Sequence, residues 1–360
     1  MVGPVPSDEG TGPNVVMGAR VGFRPTDKPR MGTRGAVQDV DLSAPERGER
    51  NIDMTYNRIR GIIVPILTPL NADETVDTAS LRRLVNYLLD NGTHGIWASG
   101  TTGEFAALSD RERIISIETV VDEVAGRVPV IGNISHASTQ LTVNLAQAVQ
   151  GSGLDGIAAT PPYYYPNAQD EIIDHYRYIH DRAGLPLWVY NIPVTVKTAV
   201  APGTVATLAS EGTVVGIKDS SGAGEPLAEL NLLCAQGDIQ ILRFIGSVFR
   251  ITTAGHVGVH GAIPGLANLV PAISSRGWEA GEAGDAEIAR ECDALLVAAS
   301  KIAKVAGGGG PNAASFSGMK SALKMMGVID SDTVSRPLRP LTDEEKQRIP
   351  AILKELDLLN

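Results

Sequence analysis

The sequence predicts an α/β protein, a parallel (β/α)8 TIM barrel with a C-terminal helical extension. Short Val/Ile-rich apolar runs alternate with longer amphipathic ones, each pair taking roughly 25–35 residues. Several of the short runs are apolar throughout, as strands covered on both faces require. No GxGxxG turn follows the first run, which removes the main support for an open, doubly wound sheet that binds a dinucleotide.

In chain order the strand candidates are Ile62–Thr68, Gly95–Ser99, Val128–Ile134, Gly156–Ala159, Leu187–Asn191, Val214–Lys218, Ile239–Ile245 and Gly261–Ile263. Helix candidates lie between them. Asp77 precedes Thr78–Asn91, which carries Leu81, Leu84, Val85 and Leu88 on one face. Ser109, with Glu112 three residues on, has the pattern of a capping box. Ser138–Gln150, Asp170–Ala183 and Pro202–Ser210 continue the alternation. Beyond about Gly284 the strands stop, and Ile288–Ala306, Phe316–Met326 and Thr342–Leu358 read as helices, broken at Gly307–Pro311 and around Pro337 and Pro340. The expected division is a leader over 1–57, a catalytic barrel over 58–284 and a helical region over 285–360 packed on the barrel. The first fifty residues hold eight Gly and six Pro without periodicity, so they bury too little apolar surface to offset their ordering entropy. An arm that docks on a neighbouring subunit, or a natural start at Met54, are the other readings of that segment.

Composition narrows the function. A chain of 360 residues, 43% hydrophobic and 20% charged, can bury a large core. With 31 basic against 41 acidic residues its net charge of −10 gives no bulk electrostatic reason to bind nucleic acid or an anionic membrane. Aromatic residues at 4% are too few for an extended stacking surface. Cys234 and Cys292 supply neither a disulfide framework nor a Cys-based zinc site and read as buried thiols. No apolar run is long enough to span a bilayer, and Val15-Val16-Met17 is too short for the core of a secretory signal. The expectation is a cytoplasmic enzyme. His94, His136, His175, His180, His256 and His260 include no HxxxH pair with a supporting third ligand, so no metal is expected.

Reactive groups of a parallel barrel collect at the C-terminal ends of its strands. Lys218 closes the apolar run Val214-Val215-Gly216-Ile217. Burial there penalises the ammonium form and lowers its pKa from about 10.4, and a neutral amine can attack a ketone and lose water to form an imine. A lysine that reaches solvent or pairs with Asp219 is the plain alternative. Gly100-Thr101-Thr102-Gly103-Glu104 after the second strand offers hydroxyls and backbone N–H groups suited to a carboxylate or phosphate, or it is simply a tight β-to-α turn. Tyr190 can relay a proton or pack as an ordinary barrel tyrosine, and the run at 163–165 can be loop packing.

Together the segments Pro65-Ile66-Leu67-Thr68-Pro69, Gly100–Glu104, Pro162-Tyr163-Tyr164, Tyr190-Asn191-Ile192-Pro193 and Gly216-Ile217-Lys218-Asp219 resemble, in this order, the dihydrodipicolinate synthase/N-acetylneuraminate lyase family of pyruvate-type Schiff-base aldolases. The resemblance covers roughly 61–358. It implies Lys218 as the imine-forming lysine, Tyr190 as proton shuttle, Thr101 as relay, and Tyr164 completing the relay across a tight dimer contact. It implies Thr102, Gly103 and neighbouring N–H groups around the carboxylate of a 2-oxo acid, with Gly246 and Ile263 in the pocket wall. A homotetramer or dimer is implied, with a 2-oxo acid and an aldehyde as substrates and no cofactor beyond the covalent imine.

Two departures bear on the branch. Thr195 stands where the lysine-pathway synthases carry an arginine that grips the second substrate, and Lys197 cannot reproduce a bidentate clamp. Gly246 is followed by Ser247, Val248, Phe249 and Arg250 rather than the acidic pair that binds sugar hydroxyls in sialate lyases, which points to a less polar partner. The leading expectation is a lyase that makes or breaks a C–C bond through a Lys218-bound enamine. Dihydrodipicolinate synthesis proper, dehydration of a 2-keto-3-deoxy sugar acid, a non-catalytic binding or regulatory homologue, and a phosphate-binding barrel enzyme are the alternatives.

Overall fold

A computed structural model describes residues 59–222 and 224–359. The leader over 1–57 and the proposed start at Met54 lie outside the described residues. Eight strands, β1 (Gly61–Pro65), β2 (Gly95–Ala98), β3 (Val130–Asn133), β4 (Gly156–Ala159), β5 (Leu187–Asn191), β6 (Gly216–Asp219), β7 (Leu242–Ile245) and β8 (Gly261–Ala262), close into a parallel barrel in sequence order. Between the strands run α1 (Thr78–Asp90), α2 (Asp110–Val124), α3 (Thr139–Val149), α4 (Gln169–Ala183), the single turn α5 (Pro193–Val196), α6 (Pro202–Ser210) and α7 (Glu225–Gly237), with α8 (Pro271–Ala283) after β8.

Alternation along each strand divides two cores. Outward residues such as Ile62, Val64, Ile96, Ala98, Ile217 and Ile245 join the surrounding helices in one apolar cluster. Inward residues Ile63, Trp97, Ile131, Ala158, Trp188, Tyr190, Phe244 and Ile263 form a second cluster inside the barrel. Glycines make room for the large inward rings. A Cβ on Gly216 would come within 2.5 Å of the Trp188 ring, and one on Gly261 within 2.5 Å of Phe244 and 2.0 Å of the Gly61 carbonyl oxygen. Trp188 meets Trp97 edge-on at 6.2 Å and Phe244 at 5.5 Å between ring centres.

Several expected elements are shorter than their apolar runs. β1 stops at Pro65 because the Asn268 amide takes over the pairing: its Oδ1 accepts from Leu67 N at 2.9 Å and its Nδ2 donates to the Pro65 carbonyl at 2.8 Å. β7 begins at Leu242 because Ile239 belongs to the preceding helix end, its N–H donating to the Cys234 carbonyl past the left-handed Asp238. Ser109 caps α2 by accepting from Glu112 N, but the Glu112 carboxylate accepts from Val76 N at 2.7 Å, so the expected capping box is only half made.

The C-terminal helices are α9 (Ala286–Ser300), α10 (Pro311–Met325), α11 (Asp343–Lys346) and α12 (Ile349–Glu355). Helix α10 starts earlier than the sequence predicts, since Pro311 fits a first helical turn that needs no N–H. The stretch expected as one helix over Thr342–Leu358 is two, and Pro350 stands in the first turn of the second. Leu296, Ile302, Phe316, Met319, Leu323 and Leu353 extend the outer apolar cluster into this region. No helix among the described residues is long and apolar enough to cross a membrane.

Candidate active site

β5, β6 and β7 place Tyr190, Lys218 and Phe244 side by side in register on the inner face of the barrel. Lys218 is 3% exposed, with Nζ 4.3 Å from the ring centre of Tyr190 and 5.0 Å from that of Trp97. Asp219, one residue on, points to the other face, where Asn191 Nδ2 donates to it at 2.7 Å and Ser221 Oγ at 2.8 Å. The Lys218–Asp219 pair that the sequence left open is therefore not formed. Burial in this aromatic surrounding pulls the Lys218 pKa down to about 7, and no carboxylate opposes it among the described residues.

Above the lysine, Tyr190 and Thr101 share a hydrogen bond, OH to Oγ1, of 3.0 Å. Burial pushes the Tyr190 phenol up to about 12, against the pull of hydrogen bonds from Thr101 and Ser220. Ser220 fits because Gly246 faces it: a Cβ on Gly246 would lie 2.2 Å from Ser220 Oγ. The Gly100–Glu104 turn is held from below, with Thr68 Oγ1 donating to the Gly103 carbonyl at 2.8 Å. Thr102 is buried, and its hydroxyl faces Gly265 after β8. Ile263 lies buried in the inner cluster with Tyr190 and Trp97.

Glu104, in the left-handed conformation at the end of this turn, is bound from the tail. One carboxylate oxygen pairs with Lys320 of α10, both side chains being fully buried, and the other accepts from Ser335 N and Oγ at 2.7 Å each. Lys320 also donates to the Thr333 carbonyl at 2.8 Å. Burial lowers the Lys320 pKa while the Glu104 charge raises it.

The tyrosine run divides. Tyr164 is 79% exposed, its ring meeting that of Tyr165 edge-on at 5.1 Å, whereas Tyr190 is buried in the barrel of the same chain. Tyr163 packs against the inner cluster and shares a cavity wall with Thr101 and Thr195. Burial raises the Tyr163 pKa, opposed by the nearby Arg113 charge. The sequence singles out Tyr164 for a contact with a neighbouring subunit and does not separate it from Tyr163 in the same Pro162-Tyr163-Tyr164 segment. It also passes over Trp97 and Ser220, which the period of two places beside Tyr190 and Lys218, and the Glu104–Lys320 pair, for which it carries no local signal. Thr195 sits exposed on α5, at the rim.

No group of three or more His, Cys, Asp or Glu side chains able to hold a metal occurs among the described residues. His260 Nδ1 accepts from Arg243 N at 3.1 Å, and His175 bonds to Thr139 and to the Thr160 carbonyl. Cys234 and Cys292 are buried free thiols.

The site thus offers a buried amine whose neutral form is populated near pH 7, beside a phenol that stays protonated and is hydrogen-bonded to the Thr101 hydroxyl. Amine attack on a ketone is expected to speed up as pH rises through about 7, then level off. Single-turnover trapping of a 2-oxo acid measured from roughly pH 5.5 to 9 checks this; a rate independent of pH would contradict the depressed amine.

The dihydrodipicolinate synthetase family profile matches residues 58–356. A 4-hydroxy-tetrahydrodipicolinate synthase from Trichlorobacter lovleyi is 34% identical over 300 residues, covering 83% of this chain and 99% of its own. The dihydrodipicolinate synthase structure from Bacteroides thetaiotaomicron superposes with a TM-score of 0.77 at 30% identity, covering 82% of this chain and 98% of that one. YagE from E. coli K12, a prophage protein of this family solved in complex with pyruvate, gives a TM-score of 0.77 at 26% identity, covering 83% and 99%. On a profile match that runs from the first barrel strand into the last helix, this chain belongs to the dihydrodipicolinate synthetase family and is an enzyme, a lyase of that type.

Proposed function

We propose that the protein is a Schiff-base aldolase acting on pyruvate or a related 2-oxo acid, with Lys218 as the imine-forming residue. The observation that carries this reading is a buried lysine without a counter-charge among the described residues, packed against a tyrosine that is hydrogen-bonded to Thr101. In the proposed reaction the neutral Lys218 amine adds to C2 of the oxo acid. The carbonyl oxygen leaves as water, with Tyr190, protonated at neutral pH, supplying a proton. The protonated imine draws electrons from C3, which loses a proton to give the enamine. The enamine carbon attacks an aldehyde in synthesis, or is released from one in cleavage, and water then frees Lys218. Thr101 passes protons to and from Tyr190, so reach matters more than basicity. Thr102 and the N–H groups near Gly103 take the substrate carboxylate, while Gly246 and Ile263 close the wall. The imine itself is the electron sink, so the reading invokes no metal or organic cofactor.

Tyr163 is the better candidate than Tyr164 for a relay partner within one chain, because it shares a wall with Thr101. Tyr163→Phe is expected to lower kcat about ten-fold or more, and Tyr164→Phe to change it less, in assays at matched protein concentration. Tyr164 and Tyr165, both largely exposed, are part of the reading of a homo-oligomer, dimer or tetramer. Thr195 in place of an arginine weighs against dihydrodipicolinate synthesis proper. Borohydride reduction with pyruvate, followed by peptide mass mapping, tests the proposal. A stable increment on Lys218 is expected, and none across several 2-oxo acids would overturn it.

A further inference from the structure

A cavity of about 300 Å³ lies between the Gly100–Glu104 turn and the C-terminal region. On the barrel side Thr101 and Tyr163 line it, and Phe105, Val196, Phe316 and Leu338 give it apolar walls. Thr101 is the same residue whose Oγ1 bonds the Tyr190 phenol beside Lys218, so one end of the cavity adjoins the reacting groups. Its volume falls within the range that holds a small organic molecule.

The charges around it are already committed. Glu104 is the one ionisable carboxylate in the wall, and its two oxygens face Lys320 and Ser335. Arg113 stacks 5.0 Å from the Phe105 ring but donates to the Asn133 carbonyl at 3.0 Å, behind the wall. The Lys197 ammonium donates to the Val194 carbonyl of its own turn at 3.0 Å. A second carboxylate or a phosphate would find no cation among the lining residues, and although Thr195, Asn312 and Ser335 also line the cavity, a polyol would still set part of its hydroxyls against phenylalanine, leucine and proline.

We propose that this cavity holds the second substrate and selects an aldehyde with an uncharged, apolar substituent, aromatic or branched aliphatic. The inference rests on the Schiff-base reading above. The aldehyde carbonyl lies toward Thr101 and Tyr163, and its substituent lies among Phe105, Phe316 and Leu338. C3 of the Lys218-bound enamine forms a bond to the aldehyde carbon, and the carbonyl π pair moves to oxygen, which takes a proton from the hydroxyl relay. Water then adds to the imine carbon and releases a 4-hydroxy-2-oxo acid. One water is lost on forming the imine and one consumed on hydrolysis, and nothing is oxidised or reduced.

The test uses the full chain in two arms. The first is borohydride trapping of pyruvate on Lys218. The second measures pyruvate consumption with benzaldehyde, isobutyraldehyde, glyceraldehyde and aspartate semialdehyde. The expected result is a trapped adduct, with kcat/KM for benzaldehyde or isobutyraldehyde at least about ten-fold above the other two. Leu338→Asp is expected to raise KM for the favoured aldehyde about ten-fold or more, with a smaller change in kcat. An adduct accompanied by preference for glyceraldehyde or aspartate semialdehyde, or by reaction with none of the four, overturns the cavity assignment and leaves the lysine chemistry standing. An unchanged KM in a folded Leu338→Asp variant also overturns it; if that variant fails to fold, the wild-type ranking decides. Absence of any adduct brings down the Schiff-base reading itself, and this inference with it.

Discussion

Lys218→Met is expected to abolish covalent trapping, to lower turnover by at least about 10³-fold, and to make the protein more stable at neutral pH. Methionine keeps much of the volume and removes the charge penalty. The sign follows from linkage. In the folded chain the Lys218 amine titrates near 7, below the ordinary 10.5, so between those values the unfolded chain holds a proton that the folded chain lacks. Stability conferred through this group therefore rises with pH across that window and is lost as pH falls toward 7. The variant lacks this dependence, so its advantage, on the order of a few kcal/mol at pH 7, should shrink as pH approaches 10. Denaturant midpoints at pH 7 and pH 10 measure it. A methionine variant no more stable than wild type at pH 7 would mean that the lysine charge is compensated in the folded protein.

The opposite outcome is expected at the other buried lysine. Lys320 and Glu104 are both fully buried, and the pair joins the turn after β2 to helix α10. Lys320→Met leaves the Glu104 carboxylate with only the Ser335 donors, and a loss of about 3–5 kcal/mol is expected. In the double variant Glu104→Gln/Lys320→Met no uncompensated charge remains, so it should lose clearly less than the two single variants summed. Because Glu104 ends the turn that carries Thr101 and Thr102, Lys320→Met should also lower kcat at temperatures where the protein is still folded. Additive stability losses, or full activity in Lys320→Met, would show that the pair does not hold the turn.

The two lysines show where sequence is readable and where it is not. Lys218 was legible because a polar residue ended a continuous apolar run, and barrel geometry says what lies at such ends. Lys320 stands on a helix among small and apolar residues, and its burial depends on a partner far away in the chain. The strands were legible for the same reason as Lys218, but their ends were not. Ile239 and Ile241 are as apolar as strand residues, yet both precede the ladder, Ile239 being tied by its N–H to the end of the preceding helix, and no residue near β1 announces that Asn268 will complete its pairing. The tyrosine run could not be read in the same way, because it lacks a period. Outside a strand, nothing in three consecutive tyrosines tells which one turns inward, whereas Tyr190, inside one, had its direction set by its neighbours.

The tryptophan and phenylalanine rings seated on Gly216 and Gly261 fix a floor beneath the Lys218 amine that cannot be altered at either glycine alone. Any larger residue at either glycine collides with a ring or a backbone oxygen. Reshaping those rings would in turn disturb the lysine packed against Trp97. Descendants of this gene are therefore barred from enlarging either glycine by itself, and that part of the foundation is inherited unchanged.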